Sequence, residues 1–249
     1  MPAVAVPLRG PDVSPPVQTA GEAHRWTVEE YHRLGDAGGF LYGDHGPHET
    51  RVELLHGVIY DKHPPGGGPS APLRWTRAMY ERLVENGGFD GLRVELIHGQ
   101  VLDKMSPQGS PHSTAIVLAH SVLSTAFSGG AHVRAQLPIR ALNQSEPEPD
   151  LAVVAGTARD FAGEHPSAAL LVVEVSHSTL QNDRTKKLAA YAESGSPEYW
   201  IVNIEDACLE VYRDPDGDTY RTRFVAREGE HVSPLTRSTA RIAVSDLLP

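Results

Sequence analysis

Hydrophobic positions in the second half of the chain fall into short continuous runs separated by polar segments. The run Leu170–Val175 is almost wholly aliphatic apart from Glu174, which predicts a strand buried on both faces of a sheet. A helix is predicted over residues 183–194, since Thr179 to Asp183 offer residues that start a helix and Gly195 and Pro197 end it. The other predicted elements are a helix at 113–127, strands at 133–139, 151–154 and 199–203, a hairpin of 209–213 and 220–225, and a short strand or turn at 240–247.

Strands alternate with helices only in the middle of the chain. The predicted fold class is therefore α/β (α+β), with a mixed central β-sheet flanked by helices.

An internal repeat precedes this region. Arg25-Trp26-Thr27 returns as Arg74-Trp75-Thr76, and residues 51–57 return as residues 93–99. The offset falls from 49 to 42 residues, so the first copy holds seven additional residues. Each copy is predicted to form a short helix and a β-hairpin with a His-Gly turn. Two copies are too few for a solenoid, so the repeat indicates a tandem duplication of one supersecondary unit.

These patterns divide the chain into three parts. Residues 1–24 contain five prolines and no periodicity, which predicts a flexible tail. Residues 25–73 form the first copy of the helix-hairpin unit. Residues 74–249 are predicted to form one domain that includes the second copy.

Composition restricts the class of protein. The chain has 249 residues, of which 40% are hydrophobic, and one cysteine, Cys208, so an internal disulfide and a cysteine-based zinc site are excluded. No apolar run is long enough for a membrane span, and the first residues lack a signal-peptide pattern. We therefore expect a cytoplasmic protein. The net charge of −10 argues against a strong non-specific DNA binder, although a local basic patch could still bind DNA.

Glu174 is the most informative single residue. A carboxylate inside an aliphatic strand is costly unless it is paired or bound to a metal. The alternative is an edge position that faces water, but a strand buried on both faces offers no such side. Asp150 stands where a polar, proline-rich loop enters the predicted strand 151–154. Alone, it could be a simple turn residue.

The predicted helix after the Glu174 strand carries Asp183, Lys187 and Tyr191 four residues apart, on one face. A solvated Asp–Lys pair would contribute only about 0.2–0.5 kcal/mol. The first turns of this helix are expected near the end of the strand, where sites of α/β proteins gather. Two carboxylates could then bind Mg²⁺, the ion could activate water, and the lysine could stabilise developing charge. Glu95 could add a third carboxylate and Gln136 a neutral ligand. Glu53 is the equivalent of Glu95 in copy one.

Residues 74–213 resemble the Uma-two (Uma2) family of putative restriction endonucleases, which belongs to the PD-(D/E)XK nuclease superfamily. The resemblance lies in Pro149-Asp150, Val173-Glu174-Val175-Ser176, Asp183-Arg184-x-x-Lys187-Leu188-x-x-Tyr191, and Gly195-x-Pro197-Glu198-Tyr199-Trp200-Ile201-Val202. It implies a restriction-endonuclease-like core, with Asp150, Glu174 and Glu95 as metal ligands.

Two features depart from the family pattern. The superfamily places a lysine two residues after the second acidic residue, where this chain has Ser176. The resemblance therefore implies that the lysine has moved to Lys187, with the adjacent Lys186 as the alternative. The duplicated N-terminal unit is the second departure. His112, at the start of the helix after the loop 106–111, is a further accessory candidate, for which helix capping or surface exposure is an equal alternative.

The function expected is a Mg²⁺-dependent endonuclease that hydrolyses phosphodiester bonds in DNA, with Mn²⁺ able to substitute. A homodimer is expected because duplex cleavage requires two cuts, and no membrane association is expected. Two alternatives remain open: a catalytically inactive binding or regulatory protein with the nuclease fold, and a hydrolase of small phosphodiesters.

Overall fold

The computed structural model describes residues 21–42, 48–49, 51–104, 109–142 and 144–249. The strands are β1 (Leu41–Tyr42), β2 (His48–Glu49), β3 (Val52–Leu55), β4 (Val58–Asp61), β5 (Ala71–Pro72), β6 (Val94–Ile97), β7 (Gln100–Asp103), β8 (Ala131–Ala135), β9 (Leu151–Ala155), β10 (Leu171–Ser176), β11 (Glu198–Asn203), β12 (Cys208–Asp216), β13 (Thr219–Arg227), β14 (His231–Val232) and β15 (Ile242–Ala243). The α-helices are α1 (Val28–Asp36), α2 (Arg77–Glu85), α3 (Ser110–Ala126), α4 (Leu180–Asn182) and α5 (Leu188–Glu193), and a π-helical turn (Asp183–Lys187) joins α4 to α5. Short 3-10 helices span Ala158–Phe161, Leu235–Arg237 and Val244–Asp246.

The central sheet has six strands in the order β13-β12-β11-β10-β9-β8. Strands β10 and β11 are parallel, and the other neighbours are antiparallel. The parallel pair is joined by the continuous helix α4–π turn–α5, which we call the site helix. A helical crossover is the usual way to join parallel neighbours. The predicted fold class, a mixed sheet with flanking helices, is confirmed.

Alternate residues of the two central strands supply the cores on opposite faces of the sheet. Val173 and Trp200 belong to the cluster that includes Leu123 of α3, whereas Val172 and Tyr199 belong to the cluster that includes Tyr191 of the site helix. All six residues of β10 and of β11 are buried, as predicted for a strand covered on both faces. No helix in the described part of the chain is long and apolar enough to cross a membrane.

Several boundaries differ from those predicted. The predicted strand 133–139 runs over Ala131–Ala135 instead, because the next residue, Gln136, has a φ of 51° and leaves the extended conformation. The final hairpin is longer than predicted: β12 extends through Asp216, and its turn is Gly217-Asp218. The helix predicted at 183–194 begins earlier, at Leu180.

The two copies of the repeated unit have the same local structure. His56-Gly57 and His98-Gly99 form the two hairpin turns, with φ values of 49° and 78° and of 48° and 71°, as a type I′ turn requires. In each copy the backbone N–H of the tryptophan donates to the carbonyl of the turn glycine at 2.9 Å. The helices and hairpins of both copies share one hydrophobic cluster.

Residues 21–24 belong to the folded part of the protein. Gly21 N–H donates to the Asp103 carbonyl at 2.8 Å, and His24 N–H donates to the Val101 carbonyl at 2.9 Å. His24 is buried. The rest of the predicted tail, residues 1–20, lies outside the described residues.

Candidate active site

The antiparallel register of β9 and β10 places the two predicted carboxylates side by side. Val173 pairs with Leu151, so Asp150, one residue before β9, lies opposite Glu174. Asp150 N–H donates to Glu174 Oε2 at 3.3 Å, and Val175 N–H donates to Asp150 Oδ2 at 2.9 Å. These backbone contacts hold both side chains at the same end of the sheet.

The site helix brings a third group to these carboxylates. Lys187 Nζ donates to Glu174 Oε1 at 2.9 Å, and the Tyr191 hydroxyl donates to the same oxygen at 2.7 Å. Asp183 Oδ1 lies 4.0 Å from Lys187 Nζ, and its Oδ2 accepts from the Thr179 hydroxyl at 2.7 Å. Of the three residues predicted on one helix face, Lys187 and Tyr191 therefore contact Glu174, and Asp183 lies beside Lys187. Asp183 and Lys187 bound a π-helical turn, of a kind that is frequent at functional sites.

Copy two of the repeated unit contributes Glu95 from β6. Its side chain is 2% exposed; Oε2 accepts from Glu148 N–H at 3.2 Å, and Oε1 lies 3.8 Å from Lys187 Nζ. The equivalent Glu53 of copy one instead pairs with Lys62 at 2.9 Å, with 35% of its side chain exposed. Copy two was the predicted contributor, and the structure places its glutamate beside the other carboxylates.

The remaining candidates are distributed around this centre. His112 Nε2 lies 3.3 Å from Asp150 Oδ2. Gln136 lines the same cavity, and its backbone N–H donates to the Asp150 carbonyl at 3.1 Å. Lys186 is turned elsewhere, because its Nζ donates to the Gly21 carbonyl at 2.6 Å. Of the two adjacent lysines, Lys187 is the one that the structure places at the carboxylates.

Burial raises the pKa of Glu174 to about 8, and the negative charges of Asp150, Asp183 and Glu95 add to this effect, while Lys187 opposes it. Burial likewise raises the pKa of Asp183, against the effects of Lys187 and Thr179. Both displacements therefore come first from burial, and the neighbouring carboxylates add to them.

Lys187 and Asp150 stay ionised. Burial acts to lower the pKa of Lys187, but the carboxylates of Glu174, Glu95, Asp183 and Asp150 outweigh it and raise that pKa well above its ordinary value. Burial acts to raise the pKa of Asp150, but the hydrogen bond from His112 and the charge of Lys187 outweigh it and lower that pKa. A permanent ammonium next to an ionised aspartate is the electrostatic centre of the site.

The composition of the cavity allows a test of whether a metal ion would fit. Its volume is about 90 Å³, room for a hydrated ion, since one liquid water occupies about 30 Å³. Six carboxylates line it against three lysine or arginine side chains: Glu95, Asp103, Glu148, Asp150, Glu174 and Asp183 against Arg93, Lys104 and Lys187. Carboxylate oxygens are the ligands that Mg²⁺ and Mn²⁺ prefer, so the donor chemistry fits a hard cation.

The described side chains do not form a complete metal-binding site in their present arrangement. Within the described ranges, no group of three or more His, Cys, Asp or Glu side chains is clustered as a metal site. Both oxygens of Glu174 accept hydrogen bonds within the protein. Holding an ion would therefore require Glu174 to exchange at least one protein donor for the ion.

Sequence reasoning missed part of the cavity wall. Asp103 and Lys104 lie on or just after β7, which pairs with the strand of Glu95, and Lys104 Nζ donates to the Glu148 carboxylate. Both residues were visible in the repeat as the counterparts of Asp61 and Lys62. The pairing of the hairpin across its two-residue turn was the signal that could have placed them beside Glu95.

Residues 77–245 match a protein family described as Uma2, putative restriction endonuclease. Among solved structures, a putative nuclease belonging to DUF820 from Anabaena variabilis is similar, with a TM-score of 0.51 and 20% sequence identity. That similarity covers 62% of this chain and 88% of the nuclease chain. It shows a shared fold. No curated protein matches the chain.

Proposed function

The chain belongs to the Uma2 family of putative restriction endonucleases, and from this premise we propose that it is a metal-dependent endonuclease that hydrolyses phosphodiester bonds in DNA. One observation carries the proposal: Asp150, Glu174 and Lys187 meet in one cavity from three separate elements. A cavity lined by six carboxylates and three lysine or arginine side chains suits the binding of a cation and a phosphate better than it suits structural stability.

In this proposal Mg²⁺ is held by Asp150 and Glu174, with Glu95 as the third carboxylate, and Mn²⁺ can replace it. The bound ion would supply Lewis-acid polarisation of the phosphoryl oxygen and acidify a water. The chain itself keeps the carboxylates in place: Val175 N–H and His112 hold Asp150, and Glu148 N–H holds Glu95.

Lys187 supplies the fixed positive charge. Its ammonium lies between Glu174, Glu95 and Asp183, so it stays protonated and lies where it can stabilise negative charge that develops on a phosphoryl group. Tyr191 acts through Glu174, because its hydroxyl fixes the carboxylate that Lys187 also contacts. Asp183 acts through Lys187, because its carboxylate lies 4.0 Å from the ammonium and helps to position it.

A metal titration tests this proposal most directly. We expect Mn²⁺ to bind the wild type saturably in calorimetry, with binding lost in Asp150→Asn and Glu174→Gln. Glu53→Gln is the matched control, since Glu53 occupies the equivalent repeat position of Glu95 but lies outside the cavity. With Mg²⁺ and plasmid DNA, the first two variants should lose at least about 100-fold in cleavage rate, as expected when a metal-held group is removed.

A second candidate function is a non-catalytic binding or regulatory protein with the nuclease fold. One observation favours it: Glu174 already satisfies its oxygens with Lys187, Tyr191 and a backbone N–H. Circular dichroism would first establish that all variants are folded. If wild-type protein then binds no Mn²⁺ at millimolar concentration, with or without DNA, the metal-dependent endonuclease is refuted and this second function takes its place.

A further inference from the structure

The short segment that precedes the helix of each copy pairs with the hairpin of the other copy. The segment that precedes copy one (residues 25–73) pairs with the hairpin of copy two (residues 74–104), since Ala23 forms a bridge with Leu102. Strand β5, which precedes the helix of copy two, pairs with the hairpin of copy one, since Pro72 pairs with Tyr60. The offsets of the repeat make Ala23 equivalent to Pro72 and Leu102 equivalent to Tyr60. The pairing between each preceding segment and the hairpin of the other copy is therefore reciprocal.

Side chains repeat the same symmetry. Arg33 Nε of copy one donates to the Gly88 carbonyl of copy two at 3.2 Å, and its equivalent Arg82 donates back to the carbonyls of Gly38 and Leu41 at 3.4 and 3.0 Å. The equivalent tryptophans, Trp26 and Trp75, contact each other with ring centroids 5.9 Å apart. The two tryptophans are equivalent to each other, and the two arginines each reach the glycine turn of the other copy, as residues do across the interface of a two-fold dimer.

The copies also approach closely at their equivalent glycines. A Cβ at Gly39 of copy one would lie 2.6 Å from Leu83 Cδ2 of copy two, and a Cβ at Gly88 of copy two would lie 3.3 Å from Ala37 Cβ of copy one. Leu83 is fully buried, and Trp75 and Phe89 are nearly so. The face of copy two that could receive another unit of this kind is thus completely covered by copy one.

We propose that copy one is a built-in replacement for the second subunit of an intertwined dimer, so that the protein works as a monomer with one catalytic cavity. A single chain supplies both halves of the two-fold contact. The homodimer expected from duplex cleavage is, in this proposal, replaced by an internal one.

The arrangement also explains how copy one serves the site. Gly21 lines the cavity, and its carbonyl accepts from Lys186. His24 Nδ1 lies 2.6 Å from Asp103 Oδ1, and Asp103 lines the same cavity. The segment 21–24, which leads into copy one, therefore forms part of the cavity wall beside Glu95 of copy two.

The hairpin of copy one does not pack against a second catalytic sheet and site helix in the described part of the chain. In copy two, Ile97 and Leu102 pack against Ala190 of the site helix. The equivalent of Ile97 in copy one, Leu55, is 47% exposed. The described residues contain one set of Asp150, Glu174 and Lys187 for two hairpins, so each monomer carries one cavity.

The first product expected from duplex DNA follows from the single cavity, and this expectation rests on the proposed function. One hydrolysis adds water across one P–O bond of one strand, so that the phosphorus gains the water oxygen and the leaving oxygen gains a proton. A monomer with one cavity makes one such cut per encounter. The expected first product from duplex DNA is therefore a nick.

The mass of this 249-residue chain in solution tests the proposed internal dimer without reference to activity. We expect sedimentation and light scattering to give a single species of 27.0 kDa that does not change with protein concentration. A stable dimer of the wild type would overturn the proposal.

A matched pair of variants tests why the chain is monomeric. The leucine of Gly39→Leu should clash with Leu83, separate copy one from copy two and expose the face of copy two. Two chains should then pair through this face, and the mass should rise toward twice the monomer value as the protein concentration increases. Gly163→Leu is the control, because a Cβ there meets nothing within 4 Å, and it should stay monomeric. If Gly39→Leu remains as monomeric as the control, this face is not a pairing surface.

The form of the cleaved plasmid tests the nick. With Mg²⁺ and supercoiled plasmid, open-circular DNA should accumulate before linear DNA. Linear DNA without an open-circular intermediate would contradict the one-cavity monomer. If the monomer leaves the plasmid uncut, both the predicted nick and the proposed function are refuted. Whether copy one replaces a second subunit would still be decided by the mass measurements.

Discussion

The carboxylate of Glu174 is almost fully buried, and its environment decides what it can do. Burying a carboxylate costs several kcal/mol unless donors replace the lost water. Here Lys187, Tyr191 and the Asp150 backbone N–H supply those donors. The same burial raises the pKa of Glu174 to about 8. An additional positive charge near the carboxylate would therefore stabilise its ionised form.

The adjacent lysines allow a test of this environment at single residues. Lys187→Met keeps the aliphatic length but removes the ammonium at 2.9 Å from Glu174, and we expect cleavage to fall by about 10²–10³-fold, the usual effect of removing one electrostatic group from a site. Lys186→Met loses only a hydrogen bond to Gly21, worth about 1 kcal/mol, and should stay within a few-fold of wild type. Steady-state cleavage rates with Mg²⁺ decide the comparison; equal losses in both variants would remove Lys187 from its proposed role.

Among the elements, the two hairpins of the repeat show how equal local structure acquires unequal roles. Both turns bond to the tryptophan that enters the preceding helix. Both turns also accept a hydrogen bond from the arginine before that tryptophan. The turn of copy two is anchored to the loop before Asp150 as well, since Gly99 N–H donates to the Gln144 carbonyl at 2.7 Å. This anchor ties the Glu95 hairpin to the loop that leads into Asp150.

Equivalent glycine substitutions in the two turns should therefore differ. Gly57→Ala and Gly99→Ala each force a side chain into a left-handed conformation, at φ 78° and 71°, which costs about 1–2 kcal/mol. A new Cβ would meet ordinary contacts at either position, 3.4 Å from Arg25 Cβ at Gly57 and 3.4 Å from the Trp75 carbonyl oxygen at Gly99. We expect urea unfolding to show a similar loss in both variants, and cleavage to fall only in Gly99→Ala, whose turn belongs to the hairpin of Glu95. Equal cleavage in the two variants would show that the turn does not position Glu95.

For the molecule as a whole, Glu146 marks the junction between the repeated units and the catalytic sheet. Its backbone pairs with Leu96 of copy two, and its buried carboxylate lies near Glu81, Arg77 and Arg140. Burial, with the charge of Glu81, raises its pKa from 4.5 to about 7, although Arg77 and Arg140 oppose the change. The junction is therefore sensitive to protonation.

A pH series of stability measurements follows from this pKa. Because the folded-state pKa is raised, the stability contributed by Glu146 is complete below about pH 4.5 and is lost as pH rises through about 7. Glu146→Gln removes the ionisation, so relative to wild type it should gain about 1–3 kcal/mol above pH 8 and nothing near pH 4.5. Glu228→Gln, at an exposed carboxylate just after β13, is the control. A gain that does not change between these pH values would contradict the raised pKa.

Local sequence patterns were sufficient for most of the elements. Continuous aliphatic runs predicted β10 and β11, because a strand buried on both faces needs apolar side chains on both sides. The His-Gly pairs predicted both hairpin turns, because few residues tolerate two successive positive φ values. Asp150, Glu174 and Lys187 were selected from sequence as well, through a costly charge in an apolar strand and the family pattern around it.

The tertiary structure decided how these parts meet. The antiparallel register of β9 and β10 sets Asp150 beside Glu174, and the π-helical turn carries Lys187 rather than Lys186 to them. The pairing of residues 21–24 with β7 of copy two brings Gly21 and Asp103 into the cavity wall. Periodicity reports which face of an element is apolar, because that depends on neighbours along the chain. Register and strand partners depend on packing between distant residues, so the sequence determined the elements and the chemistry available, and only the fold decided which groups share one site.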